Sequence, residues 1–358
     1  MTANASLPRT RHEHILRHIE LRGSVSAAAV AQELGVSQVT IRRDIVELET
    51  KGRLIRVHGG AIAPSAPPAP QPARVNIGVV VPSTVGHFPV IVRGMDAASH
   101  ALRARVVLAT SQYRTALEQR QVERLIEAGV EGLVIAPTLR ERTEEDLADW
   151  ASALPVPVVF LERRLESTTL AAFDSARSDH SRGAMLAVEH FARLGHGAVA
   201  LALFDRTPTA PLIREGHTQA VSRLGLASAP YRSLPKGGED DDGTLDAALL
   251  AFLDDCLAGD VRAALVHTDV HAARLVELAA DRGIRVPADL ALVAYDDDTA
   301  ALAMIPLSAV TAPRRDLGYE AMRIVTDRIA NSEGIGAAAR HITMLPQLTV
   351  RESCGARD

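Results

Sequence analysis

The sequence predicts an α/β protein with a small helical N-terminal domain, followed by a larger part that contains two doubly wound parallel sheets. Residues 9–57 contain helix-like segments separated by capping and terminating residues. Residues 64–72 read PSAPPAPQP, and five prolines in nine residues exclude a helix interior or a central strand. From residue 75 onward, short apolar runs alternate with amphipathic stretches, which is the pattern of parallel strands covered by helices on both faces.

The first two predicted helices are short. Ile15 and Ile19 recur at helical spacing within RTRHEHILRHIELR, and Gly23 ends this helix. Ser26 is expected to cap the second helix, AAAVAQEL, because its hydroxyl can accept from an unpaired backbone N–H. Gly35 ends the second helix and begins a turn.

The third predicted helix, QVTIRRDIVELETK, starts after the capping residue Ser37. Ile41, Ile45 and Leu48 form its buried stripe, and Gly52 ends it. The segment RLIRVHGGAIA that follows predicts a short hairpin. Together these elements predict a helix-turn-helix with a wing.

The larger part alternates strands and helices. The runs predicted as strands are VNIGVVVP (75–82), ARVVLAT (104–110), GLVIAP (132–137), VPVVFLE (156–162), AVALALF (198–204), AALVHTD (263–269) and LALVAYD (290–296). The segments predicted as helices are VRGMDAASHAL, ALEQRQVERLIEAG, SRGAMLAVEHFARLG, REGHTQAVSRLG, TLDAALLAFLDDCLAG and HAARLVELAADRG. About 280 residues favour two sheets over one.

The composition indicates a folded protein with an uneven charge distribution. Hydrophobic residues make up 47% of the chain, and the formal net charge is -5. Residues 1–63 hold 9 Lys and Arg against 6 Asp and Glu, which leaves 30 against 38 for the rest of the chain. A basic N-terminal end fits a nucleic-acid partner. Two distant cysteines, no early apolar segment and no membrane-spanning run predict a cytoplasmic protein.

The third helix carries residue types that read DNA. At its N-terminal turn, glutamine can pair with adenine and arginine with guanine in the major groove, while other cations contact phosphates. The alternative is an arginine-bearing surface helix of an ordinary domain, but three capped helices and a wing favour DNA binding. The candidate DNA-contacting residues are Ser26, Ser37, Gln38, Thr40, Arg42, Arg43, Lys51, Arg53, Arg56 and His58.

This N-terminal segment resembles the DNA-binding domain of the DeoR family over residues 9–62. The family motif Ser-x-x-Thr-[Ile/Val]-Arg-Arg-Asp matches residues 37–44, and its wing, Leu-x-Arg-x-His-Gly-Gly-Ala, matches residues 54–61. The resemblance implies a winged helix-turn-helix domain over residues 1–62, joined by a proline-rich linker of residues 63–74 to the remainder.

Residues 75–358 are similar instead to the effector domain of the LacI/GalR family, which is itself similar to periplasmic sugar-binding proteins. The matching stretches are IGVVVPSTVGHFPVIVRGMDAA, GVEGLVIAP, PVVFLERR, AVEHFARLGH, RVPADLALVAYDDD, IPLSAVTAPRRDLG and LPQLTVRES. The resemblance implies two doubly wound lobes joined by three crossovers, with a sugar bound between them. Lobe 1 is expected at about residues 75–175 and 309–338, and lobe 2 at about 176–308 and 339–358.

A pocket for a sugar needs carboxylates, amides, arginines and an apolar surface at the strand ends. The candidate effector-binding residues are His87, Phe88, Arg114, Glu162, Arg214, Thr268, Asp269 and Asp296. Asp296 matches the family's ligand-binding aspartate, and Glu162 stands where many members have aspartate. Thr268 replaces the usual asparagine of an Asn-Asp pair. Ile213 occupies the usual arginine position, so that only the adjacent Arg214 remains to substitute.

Four of these residues also have a structural alternative. Asp296 can cap a helix, and Glu162 can form a salt bridge with Arg163 or Arg164. Arg114 can be a solvated loop charge, and Phe88 can belong to the core.

Signals of catalysis and metal binding are weak. HTDVH at 267–271 lacks the glutamate of the zinc metalloprotease motif, and EDDD at 239–242 lacks the alternating ligands of a calcium loop. No GxSxG, P-loop or GxGxxG is present. The sequence therefore predicts neither an enzyme nor a cofactor.

The favoured interpretation is a transcription regulator of carbohydrate metabolism genes, expected to be a repressor, although the sequence leaves an activator open. It binds a pseudo-palindromic operator in double-stranded DNA as a homodimer or tetramer, and a sugar effector controls it. The proline-rich linker cannot form the hinge helix of LacI-type regulators, so coupling through the spacing of the DNA-binding domains is expected. The alternatives are a sugar-binding module without a regulatory role and an enzyme acting on a sugar phosphate.

Overall fold

The computed structural model describes residues 7–22, 24–57, 59–62, 74–235, 243–331 and 338–356. The chain divides into two compact units, Met1–Ala73 and Arg74–Asp358. The predicted linker, apart from its last residue, and the acidic segment EDDD lie outside the described residues. None of the described helices combines the length and the apolar character that a bilayer span requires.

The described residues of the N-terminal unit form three helices and a three-stranded sheet. Its elements are α1 (Pro8–Arg22), β1 (Ser24–Ser26), α2 (Ala27–Leu34), α3 (Gln38–Thr50), β2 (Ile55–Val57) and β3 (Gly60–Ile62). Strand β3 pairs antiparallel with both β2 and β1. The predicted hairpin is thereby confirmed, whereas β1 was not predicted, because only three residues form it.

The predicted apolar stripe of α3 forms the centre of this unit. Ile41, Ile45 and Leu48 are all buried, and they pack with Ile15 of α1. Gly35 adopts a left-handed φ of 65° after α2, which turns the chain toward α3 without the strain that a side chain would add. The turn between the two helices therefore follows from the sequence.

Only one of the two predicted serine caps forms. The Ser37 Oγ accepts a hydrogen bond from the Thr40 backbone N–H at 3.1 Å. Ser26 makes no side-chain capping bond, so that prediction was wrong. Ser26 belongs to β1, and the Ala27 N–H at the start of α2 donates instead to the Gly59 carbonyl at 2.9 Å. The wing thus caps the second helix.

In the part of the second unit that the structure describes, two six-stranded sheets have helices on both faces. Its helices are α4 (His87–Ala101), α5 (Thr115–Glu127), α6 (Glu144–Ser152), α7 (His180–Arg193), α8 (Ala210–Leu224), α9 (Thr244–Ala258), α10 (Asp269–Asp281) and α11 (Arg314–Ala330). Its strands are β4 (Val75–Val81), β5 (Ala104–Thr110), β6 (Gly132–Ile135), β7 (Val158–Leu161), β8 (Asp174–Ser178), β9 (Ala200–Leu203), β10 (Tyr231–Ser233), β11 (Ala263–His267), β12 (Ala291–Tyr295), β13 (Ser308–Thr311), β14 (His341–Met344) and β15 (Gln347–Thr349).

Each sheet belongs to one lobe. Lobe 1 has the strand order β14-β8-β7-β6-β4-β5, and lobe 2 has the order β10-β9-β11-β12-β13-β15. All pairings are parallel except that of β13 with β15. The doubly wound architecture is therefore as predicted.

The chain passes between the sheets three times, after β8, after β13 and after β14. The lobe boundaries expected at about residues 175, 308 and 338 all precede these crossings. As a result β13 lies in lobe 2 and β14 in lobe 1, the reverse of the expected assignment. The sequence of a short strand near a crossover does not show to which lobe the strand belongs. Its hydrogen-bonded neighbours in the sheet determine this.

Candidate functional site

The first turns of α3 present an open polar surface. Gln38, Arg42 and Arg43 are exposed, and Val39 is 74% exposed. No carboxylate among the described residues forms an ion pair with either arginine. The hydroxyls of Ser37 and Thr40 lie 2.9 Å apart and serve the cap. Glutamine and two arginines are therefore the groups free to meet a base edge or a phosphate here.

The other predicted phosphate contacts, Lys51, Arg53 and Arg56, lie after the C-terminal end of α3 and in β2. Lys51 pairs with Glu47 at 2.6 Å, and the Arg56 Nε lies 3.6 Å from Glu49. Exposed pairs of this kind contribute little free energy, so a phosphate can compete for these cations. Arg53 is exposed. His58 lies outside the described residues.

The sequence prediction assigned no role to Asp44, the aspartate of the Arg-Arg-Asp motif. It is 4% exposed and accepts from the Arg11 Nε at 2.7 Å and the Arg11 Nη2 at 3.0 Å. The His12 Nε2 lies 3.5 Å from the same carboxylate. This pair fixes α1 against α3. The sequence could have predicted that Asp44 is buried, since position 44 falls on the same helix face as Ile41 and Leu48.

A cleft of about 1250 Å³ lies in the second unit at the carboxyl ends of strands from both sheets. From lobe 1 it is lined by segments after β4 to β7, and from lobe 2 by segments after β8 and β9. Tyr113, Leu139 and Phe204 give it apolar surface. Strand-end loops of open α/β sheets are where such folds bind ligands, because the side chains there are held by a rigid scaffold.

Glu162 is the most connected carboxylate of the cleft. Its oxygens accept from the Ser178 hydroxyl at 2.8 Å and from the Ser178 N–H at 2.9 Å. The His87 Nε2 lies 2.8 Å away and the His180 Nε2 3.6 Å away. Burial acts to raise the pKa of Glu162, but the bonds to His180 and His87 outweigh it, so its pKa lies well below the usual value.

The orientation of His180, at the start of α7, is set by Tyr295 of β12 in the same lobe. The Tyr295 hydroxyl donates to the His180 carbonyl at 3.1 Å and lies 3.0 Å from the His180 Nδ1. The Nδ1 therefore carries the hydrogen, and the Nε2 faces Glu162. The sequence prediction missed both residues, since no local pattern marks a contact across 115 positions.

Asp296 ends β12 beside this cluster, with a φ of 76°. The charges of His87, Arg314 and His180 act to lower its pKa, but burial outweighs them, so the pKa of Asp296 is raised. Asp296 is thus held near the His87–Glu162 pair without itself being part of the cleft lining.

Three predicted effector contacts are not among the residues that line the cleft. Phe88 is 4% exposed and packs in the core of lobe 1, which was the structural alternative. Arg114 is exposed and stands at the start of α5, while the preceding Tyr113 lines the cleft. Arg214 bonds to Asp205 at 2.6 Å and stacks over Tyr231 at 4.5 Å. Adjacent residues of a helix or turn point in different directions, so an error of one position assigns the wrong side chain to the ligand site.

The strand-end pair after β11 is also engaged within the protein. The Asp269 carboxylate accepts from the backbone N–H groups of Thr299 at 2.6 Å and Asp298 at 2.9 Å. The Thr268 Oγ1 lies 3.2 Å from the His271 Nδ1. Neither residue lines the cleft. Asp269 therefore shapes the loop after β12, and Thr268 the start of α10.

His267 makes the stability of the second unit depend on pH. Its side chain is buried, and its Nδ1 has no hydrogen-bond partner among the described residues. Burial and the neighbouring His271 lower its pKa to about 3. Below about pH 6.5 the unfolded state takes up a proton that the folded state does not, so stability falls as pH falls toward 3.

We expect His267 alone to lower the free energy of unfolding by roughly 2–3 kcal/mol between pH 7 and pH 4.5. His267→Met keeps a similar volume and cannot titrate, so its loss over the same interval should be smaller by that amount. Urea denaturation at both pH values measures the difference. If the free energy of unfolding fell equally in the two proteins, His267 would not be a buried, neutral imidazole.

Comparisons with known proteins agree with this architecture. Residues 11–66 match the family of DeoR-like helix-turn-helix domains, and residues 188–354 match the family of periplasmic binding protein-like domains. The arabinose metabolism transcriptional repressor of Geobacillus stearothermophilus is 26% identical over 332 residues, which cover 90% of this chain and 89% of that protein.

Solved structures share the fold. The transcriptional regulator CelR in complex with cellobiose superposes with a TM-score of 0.63 at 23% identity, over 89% of this chain and 91% of that chain. The lac repressor dimer bound to operator and the anti-inducer ONPF gives a TM-score of 0.64 at 24% identity, over 80% and 96%. The chain therefore carries a DeoR-like helix-turn-helix domain before a periplasmic binding protein-like domain, and it is similar over most of its length to transcriptional regulators of the LacI type.

Proposed function

We propose that the protein is a DNA-binding repressor of carbohydrate metabolism genes whose affinity for its operator is set by a sugar or sugar-derived effector. The observation that carries the proposal is the exposed start of α3, where Gln38, Arg42 and Arg43 are not engaged by carboxylates of the described residues. An unneutralised cationic surface on the second helix of a helix-turn-helix matches the charge and shape of a major groove.

The cleft between the two lobes supports the effector half of the proposal. It combines carboxylate and arginine side chains with the faces of Tyr113 and Phe204. A sugar ring needs both, because its hydroxyls require hydrogen bonds and its C–H face requires apolar contact. The relatives named for arabinose metabolism and the regulator bound to cellobiose point to the same ligand class.

An effector changes DNA affinity only if it binds one arrangement of the lobes better than another. A ligand held by groups from both lobes meets this condition, because lobe separation breaks part of its contacts. We propose a two-fold dimer, in which two DNA-binding domains read a pseudo-palindromic operator and lobe movement changes their spacing.

Two neighbouring substitutions test the DNA-reading surface. We expect Arg43→Ala to weaken operator binding roughly ten- to hundred-fold with little effect on random DNA, because Arg43 is assigned to a base edge. We expect Arg42→Ala to weaken both alike and to reduce the slope of log affinity against log salt by about one, because Arg42 is assigned to a phosphate. Fluorescence anisotropy with the upstream region of its own gene, across a salt series, measures both.

Arg285→Ala provides the matched control, because Arg285 is exposed in the second unit and pairs only with Asp289 among the described residues. Its DNA affinity should equal that of the wild type. Wild-type binding no tighter to the upstream region than to random DNA of equal length would overturn the proposed function.

A further inference from the structure

The carboxylates that line the cleft are already engaged within the protein. Asp205 is bonded to Arg214, and Glu215 to Arg164 at 2.6 Å. Glu166 also pairs with Arg164, at 3.0 Å. Each of these three acids therefore has an arginine partner, and Glu215 and Glu166 share the same one.

The two remaining acids of the lining are occupied as well. Glu144 accepts from the backbone N–H groups of Glu166 at 2.8 Å and Ser167 at 2.6 Å. Glu162 is held by Ser178 and His87, as described above. Each acidic group that lines the cleft thus has a cation or a donor from the protein itself.

Three arginines that line the same cleft have no such ion-pair partner. Arg140 follows β6, Arg163 follows β7 and Arg206 follows β9. No described carboxylate lies within ion-pair distance of any of them. The lining contains five acids and four arginines in all, and these three guanidinium groups, contributed by both lobes, have no paired carboxylate among the described residues.

Arg163 is the most constrained of the three. Its Nε donates to the Pro137 carbonyl at 2.9 Å and its Nη1 to the Glu162 carbonyl at 2.7 Å. Burial lowers its pKa, although the charges of Tyr113 and Glu162 oppose this. Two neighbouring strand ends thus fix a guanidinium whose charge is only partly solvated, which strengthens its attraction for an anion.

The loop that carries Arg140 is also fixed. The buried Glu118 of α5 accepts from the Thr138 N–H at 2.8 Å and pairs with Arg142. Arg140 itself lies 5.9 Å from the Tyr113 ring. The cation is therefore carried by an anchored segment at the cleft.

We propose that the effector is an anionic carbohydrate, a sugar phosphate or a sugar acid, whose phosphate or carboxylate is held at Arg163, with Arg140 and Arg206 completing the neutralisation from the two lobes. This inference rests on the proposed function. An anion between cations of opposite lobes favours the closed arrangement, because closure brings both charges to it. Tyr113 and Phe204 remain for the face of the ring.

Matched ligand sets test the proposal by isothermal titration and thermal shift on the full chain. The probes are arabinose, ribose and glucose, their terminal phosphates, the corresponding aldonates and uronates, and inorganic phosphate. We expect at least one sugar phosphate or sugar acid to bind tenfold or more tightly than its neutral parent. Tight binding of a phosphate ester and not of an acid identifies the phosphate as the recognised group, and the reverse identifies the carboxylate.

Two variants locate the anion. Arg163→Gln should weaken the anionic ligand roughly ten- to hundred-fold, and Arg206→Gln, an exposed position that folding tolerates, should weaken it several-fold. Arg262→Gln, which removes an exposed cation paired with Asp260, should leave binding unchanged.

Equal or tighter binding of the neutral parents overturns the proposal, and so does anion binding that neither cleft variant weakens. Binding of inorganic phosphate alone, or of none of the probes at millimolar concentration, also overturns it. Operator binding is measured on the same preparation without ligand, so these outcomes leave the DNA-binding function standing if the operator is still preferred over random DNA.

Discussion

Asp44→Ala is expected to unfold the N-terminal unit and abolish operator binding. The substitution leaves the guanidinium of Arg11 buried at 7% exposure without the carboxylate that holds it at 2.7 and 3.0 Å. Breaking a buried ion pair from one side costs about 3–5 kcal/mol. We expect about 3 kcal/mol, the low end, because this pair lies in a small domain near solvent. A domain of this size has little stability in reserve, so most of it is lost.

Circular dichroism melting and DNA anisotropy on the full chain measure this prediction. The wild type should show a transition for the N-terminal unit that Asp44→Ala removes, while the transition of the second unit remains. Glu47→Ala is the matched control, because Glu47 lies on the same helix but is half exposed and pairs with Lys51 at the surface. Operator binding by Asp44→Ala within a few-fold of the wild type would show that the pair does not hold the domain together.

Gly216→Ala is expected to destabilise lobe 2 by about 3 kcal/mol or more. A Cβ at this position of α8 would lie 1.9 Å from the Ser181 carbonyl oxygen and 2.6 Å from its carbon. Both atoms belong to the backbone of α7, so no side chain can rotate to relieve the contact, and the helices must separate. Overpacking that moves backbone costs about 1–3 kcal/mol and sometimes more.

The same displacement should weaken ligand binding, because α8 carries Leu212 and Glu215 at the cleft. Urea denaturation of the second unit and ligand titration measure the two effects. Gly197→Ala is the control: a Cβ added there would have no atom within 4 Å, and its φ is not left-handed, so the cost should stay within about 0.5 kcal/mol. Similar free energies of unfolding for the two variants would show that α7 and α8 do not pack so closely.

The prediction of the elements succeeded where one local pattern determined each of them. The predicted apolar runs correspond to β4 to β7, β9, β11 and β12. These strands are buried on both faces, so each is a continuous apolar segment that can be recognised without knowing its neighbouring strands. The edge and crossover strands β8, β10 and β13 to β15 were missed, because their short and partly polar sequences depend on hydrogen bonding to a neighbour. The helices α6 and α11 were likewise missing from the prediction.

The candidate ligand residues divide in the same way. A strand end placed Glu162 at the cleft, because the rigid sheet sets where that residue must emerge. Phe88 and Arg214 were directed elsewhere by a single step along a helix, since a rotation of about 100° per residue decides between core, cleft and solvent. Sequence spacing predicts the neighbourhood of such a side chain but not its direction.

The sequence by itself determined the two-part organisation, the helix-turn-helix with its apolar stripe, and the doubly wound character of the larger part, because all three rest on periodicity and on residues within one turn or strand. Only the tertiary structure decided that Asp44 is the buried partner of Arg11, that His180 and Tyr295 meet beside Glu162, and that three arginines of the cleft have no carboxylate partner among the described residues. Those features join residues up to 115 positions apart, and their energies arise from burial and distance, which the linear order of residues does not contain.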